Sequence, residues 1–148
     1  MKIGIVGHAA NKFTSETEAE ARAVIRSLLE PEDAVLVSGH CHLGGIDVWA
    51  EEIAEEMGRP KIIHVPKQLS WLGGYKERNE RIAADSDEVH CIVVAVHPPG
   101  YSEQKWDYCY HCKTRGHVKS GGCWTAWRGK KGFWHVIGKP IREKGEAQ

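Results

Sequence analysis

Apolar positions along this chain switch between two periods. Residues 2–6 form a short apolar run that ends at Gly7, and Thr14-Ser-Glu-Thr-Glu then opens a segment with apolar residues at Ala21, Val24, Ile25, Leu28 and Leu29. That spacing gives a helix one apolar stripe, with acids in the first turn where the helix dipole favours them. The move repeats: residues 34–37 predict a strand, Ser38-Gly39 a turn, and residues 46–57 a helix that stops at Gly58-Arg59-Pro60. Residues 61–65 predict a third strand closed by Pro66, and residues 75–86 a third helix after a loop holding Trp71 and Gly73-Gly74. Residues 89–96 are the most continuous β-branched run, and their lack of polar alternation predicts a strand covered on both faces. Residues 97–119 follow neither period and predict an elaborated, cysteine-rich insertion. A short helix over 121–131, a last strand over 133–137 and a mobile polar tail over 139–148 complete the pattern.

This alternation predicts an α/β fold in a single domain, 1–148. Right-handed crossovers make it a Rossmann-like, doubly wound parallel sheet of about five strands in the order 3-2-1-4-5. Ligands of such sheets bind beyond the carboxyl ends of the strands, near the point where strand order reverses. The turns expected to gather there are Gly7-His8, Ser38-Gly39-His40 and the loop from His97 to Gly122.

A length of 148 residues fits one domain and not two. No stretch approaches the roughly 20 apolar residues of a membrane span, and the first residues run straight into a strand pattern without an apolar leader. An intracellular, cytoplasmic and reducing location is therefore expected, with no membrane partner. Five cysteines, an odd number with three clustered, argue against a disulfide scaffold. Formal charge is zero but unevenly spread: residues 14–58 hold eleven Asp/Glu against two Arg, and residues 113–145 hold nine Lys/Arg against one Glu. The second half offers the surface that attracts anions.

The cluster Cys109, Cys112, His117 and Cys123 follows the spacing C-x2-C-x4-H-x5-C. Thiolates and an imidazole so arranged suit tetrahedral zinc, with four protein ligands and hence a structural role. Cys123 is the natural fourth ligand, with His111 or His97 as substitutes, or else packs as a small core residue. His40, Cys41 and His42 sit together in the second turn, where adjacent side chains diverge; His40 or His42 is better suited to touch a ligand. Cys91, inside the most apolar strand, is expected in the core. Trp71, Trp106 and Trp124 either stack on a base or cover the sheet.

Glycines carry a second kind of chemistry. Gly39, Gly44 and Gly45 let the backbone approach an anion, and Ser120-Gly121-Gly122 ahead of a helix offers backbone N–H groups. Asp47 can accept from ribose hydroxyls or cap the helix, and Arg78 can fork onto phosphate or sit in a surface ion pair. The segments Val37-Ser-Gly-His-Cys-His-Leu-Gly-Gly-Ile-Asp47, Tyr75-Lys-Glu-Arg78-Asn79 and Ser120-Gly-Gly-Cys-Trp-Thr125 resemble the SLOG superfamily, over residues 1–137. The resemblance implies a nucleotide or nucleotide-derived ligand on these turns, touching Gly7, His8, Ser38, Gly39, His40, Gly44, Gly45, Asp47, Arg78, Asn79, Ser120, Gly121, Gly122 and Thr125. The hydrolytic LOG members of that superfamily carry Pro-Gly-Gly-x-Gly-Thr-x-x-Glu with a catalytic glutamate. Here Thr125 is retained, the third glycine is Trp124 and the glutamate position is Arg128. Arginine stays protonated and cannot act as a base.

Three readings follow. The first is a nucleotide-binding protein with a zinc-stapled loop. The second is a nucleoside-phosphate N-glycosidase using Glu51 or Asp47. The third is a nucleic-acid-binding module built on the knuckle-like cluster and the basic second half. A homodimer is compatible with each.

Overall fold

A computed structural model of the chain describes residues 1–101, 108–109, 114–115, 117, 120–137 and 142–143. Its centre is a parallel sheet of β1 (Lys2–Gly7), β2 (Val35–Ser38), β3 (Lys61–Ile63), β4 (Glu88–Val94) and β7 (Gly132–Ile137), in the order β3-β2-β1-β4-β7. This is the 3-2-1-4-5 order expected of the alternating pattern. A short antiparallel strand β8 (Arg142–Glu143) pairs with β7 at the sheet's edge, inside the segment read from sequence as a tail. The hairpin β5 (Tyr108–Cys109) and β6 (Thr114–Arg115) stands apart, in the stretch where sequence showed no period.

Among the described residues four α-helices cover the sheet: α1 (Ser15–Leu28), α2 (Ile46–Glu56), α3 (Lys76–Asp85) and α4 (Gly121–Arg128). Each begins and ends for a local reason. Thr14 caps α1 in a reciprocal box with Thr17, and Glu16 and Glu18 lie in its first turn. Gly58 takes a left-handed φ of 70° past the end of α2, where a side chain would be strained. A single π-turn (Trp71–Tyr75) leads into α3, with Ser70 Oγ accepting from Gly73 N–H. Sequence alone predicts a loop over most of this turn; it forms because Gly74 lies against the Gln68 backbone, where a Cβ would come within 2.3 Å of the Gln68 carbonyl oxygen.

β4 is covered on both faces, as its lack of polar alternation predicted. Ile92 and Val94 join Ile5, Ile25, Ile53 and Leu36 in the core under α1 and α2, while Val89, Cys91 and Val93 join Val6, Ile82, Cys123 and Ala126 under α3 and α4. Truncating a buried isoleucine such as Ile92 to alanine would cost about 2–5 kcal/mol. The join between β1 and β4, where strand order reverses, is stitched: His8 N–H donates to the Ile92 carbonyl at 3.2 Å and His8 Nδ1 accepts from Val94 N–H at 3.1 Å. Among the described residues no helix is long and apolar enough to cross a membrane.

Candidate ligand cleft and candidate metal centre

A cleft of about 960 Å³ opens beside that join, beyond the carboxyl end of β1. Its floor is Val6, Gly7, Gly121 and Gly122; one wall is the turn from Cys41 to Leu43 with Asp47; the other is Tyr75, Arg78, Asn79 and Ile82, with Trp71, Trp124 and Thr125 at the side. The size and the mix of apolar walls with a few convergent polar groups are those of a small-molecule site. Trp71 and Trp124 meet edge to face with ring centroids 5.0 Å apart, which gives the cleft an aromatic end.

The turn from β2 into α2 is shaped by its backbone. His40, Gly44 and Gly45 adopt φ of 51°, 77° and 87°, all in the left-handed region. Gly45 also runs directly beneath the β1–α1 connection, so a Cβ there would lie 2.4 Å from the His8 carbonyl oxygen. This path buries Asp47, the second residue of α2, against the cleft. Loss of hydration pushes its carboxyl up to about 6, against the pull of Arg78 and of a hydrogen bond from the Cys41 backbone. Burial likewise raises the Cys41 thiol, which keeps it protonated.

Arg78 does not present a free fork. Its Nη1 donates to the Gly39 carbonyl at 2.9 Å, its Nε donates to Asn79 Oδ1 at 2.6 Å, and its guanidinium lies over the Tyr75 ring. Gly39 makes room for it, since a Cβ would come within 2.5 Å of Nη1. These contacts lock α3 to the β2 turn and hold Arg78 in the cleft wall. Among the described residues lining the cleft, Asp47 and Arg78 are the charged ones, and their charges oppose.

Of the fourteen residues expected to touch a ligand, Gly7, Asp47, Arg78, Asn79, Gly121, Gly122 and Thr125 line the cleft. The other seven do not line it. His8 stitches β1 to β4, Gly39 accepts from Arg78, Gly44 and Gly45 bend the turn, and Ser120 Oγ caps α4 by accepting from Gly122 N–H at 3.1 Å. Ser38 is fully buried, and its Oγ has no hydrogen-bond partner. The helix starts are internally satisfied in part, because Ile46 N–H also donates to the His8 carbonyl at 3.1 Å. Glu51 lies outside the cleft lining, and its carboxylate accepts from His40 Nδ1 at 2.6 Å. Leu43 and Tyr75, inside the segments that carry the resemblance but not singled out there, also line the cleft, as does Ile82, which looks like an ordinary core residue until α3 is laid against the β2 turn.

The metal-ligand spacing has a spatial counterpart. The donor atoms of Cys109, His117 and Cys123 lie within 4.8 Å of one another, and all three residues are buried. Cys109 closes β5 and pairs with Thr114 of β6. Cys112, His111 and Trp106 lie outside the described residues. Two thiols and an imidazole form a donor set that can hold a metal ion. Of the alternatives named from sequence, His97 donates through Nδ1 to the Lys12 carbonyl and stacks near Tyr101. Cys123 is both core and cluster member: it packs under α4 and reaches to 3.8 Å from His117 Nε2. His8 packs against His117 with ring centroids 6.0 Å apart, which brings the metal cluster and the stitched strand ends into one unit.

The candidate metal centre and the cleft therefore occupy two sides of one helical turn. Gly121 and Gly122 face the cleft, and Cys123 faces the cluster. No family model matches the chain, and no curated protein and no solved structure matches it significantly.

Proposed function

We propose that the cleft binds a nucleotide or nucleotide-derived ligand, and that a structural zinc held by Cys109, His117 and Cys123, with Cys112 as the fourth ligand, fixes the wall formed by α4. The single observation that carries this reading is a buried acid beside an aromatic end in one cleft at the strand-order reversal. Asp47 offers an acceptor for ribose hydroxyls, Asn79 and Thr125 offer further polar contacts, and Trp71 and Trp124 offer a surface for a base. Zinc suits the donor set because thiolate and imidazole are its usual protein ligands in closed, four-coordinate sites. The resemblance to the SLOG superfamily supports the same ligand class.

Hydrolysis is the second reading, favoured by one observation: Asp47 is held to about 6, near the value a general acid needs. Asp47 is then the acid, since Glu51 is engaged by His40 outside the cleft lining. Arg128, at the position of the family glutamate, lies over the Trp124 ring and supports the aromatic end.

The test is thermal unfolding of the purified protein against a panel of nucleosides, nucleoside monophosphates and cyclic nucleotides, with native mass spectrometry for bound zinc. A raised Tm with at least one nucleotide, lost in Trp124→Ala, supports binding. No shift across the panel would sink the nucleotide reading. Release of free base from a monophosphate, abolished in Asp47→Asn, would convert the binding site into an active site.

A further inference from the structure

We propose that Cys91 and Cys123 are a redox pair in which a peroxide-driven disulfide competes with the metal for Cys123. Cys91 lies in β4, whose residues from Val89 to Val94 are all buried, and by sequence it is simply core. The parallel register sets it beside Val6 of β1 and Trp134 of β7, under the first turn of α4. There its Sγ is 3.6 Å from Cys123 Sγ. Both thiols are fully buried, and both are free of any disulfide. Cys123 thus stands between two alternatives: the donors of Cys109 and His117 on one side, and the Cys91 thiol on the other.

Chemistry decides which holds. A metal-bound Cys123 is held as a thiolate, the form of sulfur that attacks a peroxide. It attacks one oxygen of a hydroperoxide: an S–O bond forms, the O–O bond breaks and hydroxide leaves, so the sulfur is oxidised to sulfenic acid and the peroxide is reduced. Cys91 then attacks the Cys123 sulfur; the S–S bond forms, the S–O bond breaks, and hydroxide departs with the Cys91 proton as water. Cys123 can no longer ligate, and the metal ion is released to solvent. A thiol reductant reverses the bond by exchange. The resolving thiol lies just beneath the cleft floor. Gly122 lines the cleft, and a Cβ on Gly122 would sit 3.1 Å from Cys91 Sγ, so the backbone of a residue without a side chain separates this thiol from the cleft.

The metal release and the activation of Cys123 rest on the zinc reading; the closeness of the two sulfurs does not. The experiment takes the full chain purified under reducing conditions, records zinc per chain, and adds hydrogen peroxide in steps. Three readouts follow: intact mass without reductant, peptide mapping of the cross-link, and zinc delivered to a coloured chelator. The expected result is loss of two hydrogens, a Cys91–Cys123 link, and release of the zinc in the same peroxide range, all reversed by dithiothreitol. Cys91→Ala and Cys91→Ser should retain zinc at the wild-type stoichiometry and release it more slowly. A first disulfide mapping to Cys109 and Cys112, zinc release from folded Cys91 variants at the wild-type rate, or oxidation stopping at sulfinic acid would each overturn the proposal. A chain that carries no zinc yet still forms the Cys91–Cys123 link would reject the metal and keep the redox pair.

Discussion

Gly44-Gly45 and Gly121-Gly122 are identical dipeptides that start two helices on opposite sides of one cleft, and they are glycines for different reasons. The first pair is there for its backbone: both residues have a φ that L side chains rarely adopt. The second pair has no such requirement; Gly122 is there for space, since a Cβ would lie 2.9 Å from Gly7 N and 3.1 Å from both Cys91 Sγ and Val6 Cγ2. Gly45 meets both demands, with its φ of 87° and the His8 carbonyl oxygen only 2.4 Å from where a Cβ would sit. Position in a motif therefore says less about a glycine than the path of the chain through it.

The largest effect should come where conformation and volume coincide. Gly45→Ala is expected to lower stability by about 3–5 kcal/mol, the sum of a left-handed backbone penalty and overpacking against fixed backbone. Gly122→Ala carries only the volume part, roughly 1–3 kcal/mol. Urea unfolding of both variants checks the order. Because one of the atoms crowding Gly122 is a side-chain sulfur, Cys91→Ala should recover part of the Gly122→Ala loss, whereas the loss at Gly45 has no side chain to trim. Equal losses in the two variants would erase the distinction.

The bent turn has an electrostatic consequence that the straight one lacks. By carrying Asp47 into the cleft it leaves a carboxyl with a folded pKa of about 6 against an ordinary 3.8. Between those values the folded chain holds more protons than the unfolded one, so the contribution to stability is full below 3.8 and is lost as pH rises through 6. Asp47→Asn removes that loss. It should be more stable than the parent by about 3 kcal/mol at pH 7.5, with the gap closing as pH falls toward 4. Thermal unfolding across this range measures it. The same substitution removes the proposed ribose acceptor, so a gain in stability with a loss of nucleotide-induced shift is the expected pairing. A variant that is less stable than the parent at pH 7.5 would mean that the Asp47 contacts with Arg78 and the Cys41 amide outweigh its desolvation.

The sheet was legible because its signals are local. Period and β-branching mark every strand of the parallel sheet, and the shifts at element ends have local causes: α4 stops at Arg128 because Gly129 packs against Val89, where a Cβ would come within 2.8 Å of Cγ2. The glycine turns were legible for the same reason. What sequence could not give were pairings across the chain. Arg78 reads as an anion-binding fork, and only when α3 is set against the β2 turn does its bond to the Gly39 carbonyl show. Glu51 reads as a spare carboxylate until His40, held at positive φ, closes on it. Cys91 reads as core, and it is core, yet the register of β4 also makes it a neighbour of Cys123. The aromatic end was half visible, since Trp71 and Trp124 stood out as large side chains near loops, but their contact depends on a π-turn that has no period to detect.

The smallest effects test the distinction most cleanly, because neither site adds a clash. A Cβ at Gly44 would meet only Ala10 Cβ, at an ordinary 3.4 Å, so Gly44→Ala isolates the cost of its φ of 77°. That cost should be about 1 kcal/mol, the left-handed penalty for a residue with a side chain. A Cβ at Gly121 would meet Asn79 Nδ2 at 3.6 Å, and its backbone needs no positive φ, so Gly121→Ala isolates the first turn of α4 itself. Alanine is the better helix former by up to about 1 kcal/mol, and a residue in the first turn gains only part of it. Gly121→Ala should therefore be neutral to slightly stabilising, while narrowing the cleft floor by one methyl group. Paired Tm measurements with and without nucleotide separate the two roles. A drop in ligand-induced shift for Gly121→Ala at unchanged baseline stability would assign that glycine to the ligand, and a drop in baseline stability alone for Gly44→Ala would assign its counterpart to the path of the chain.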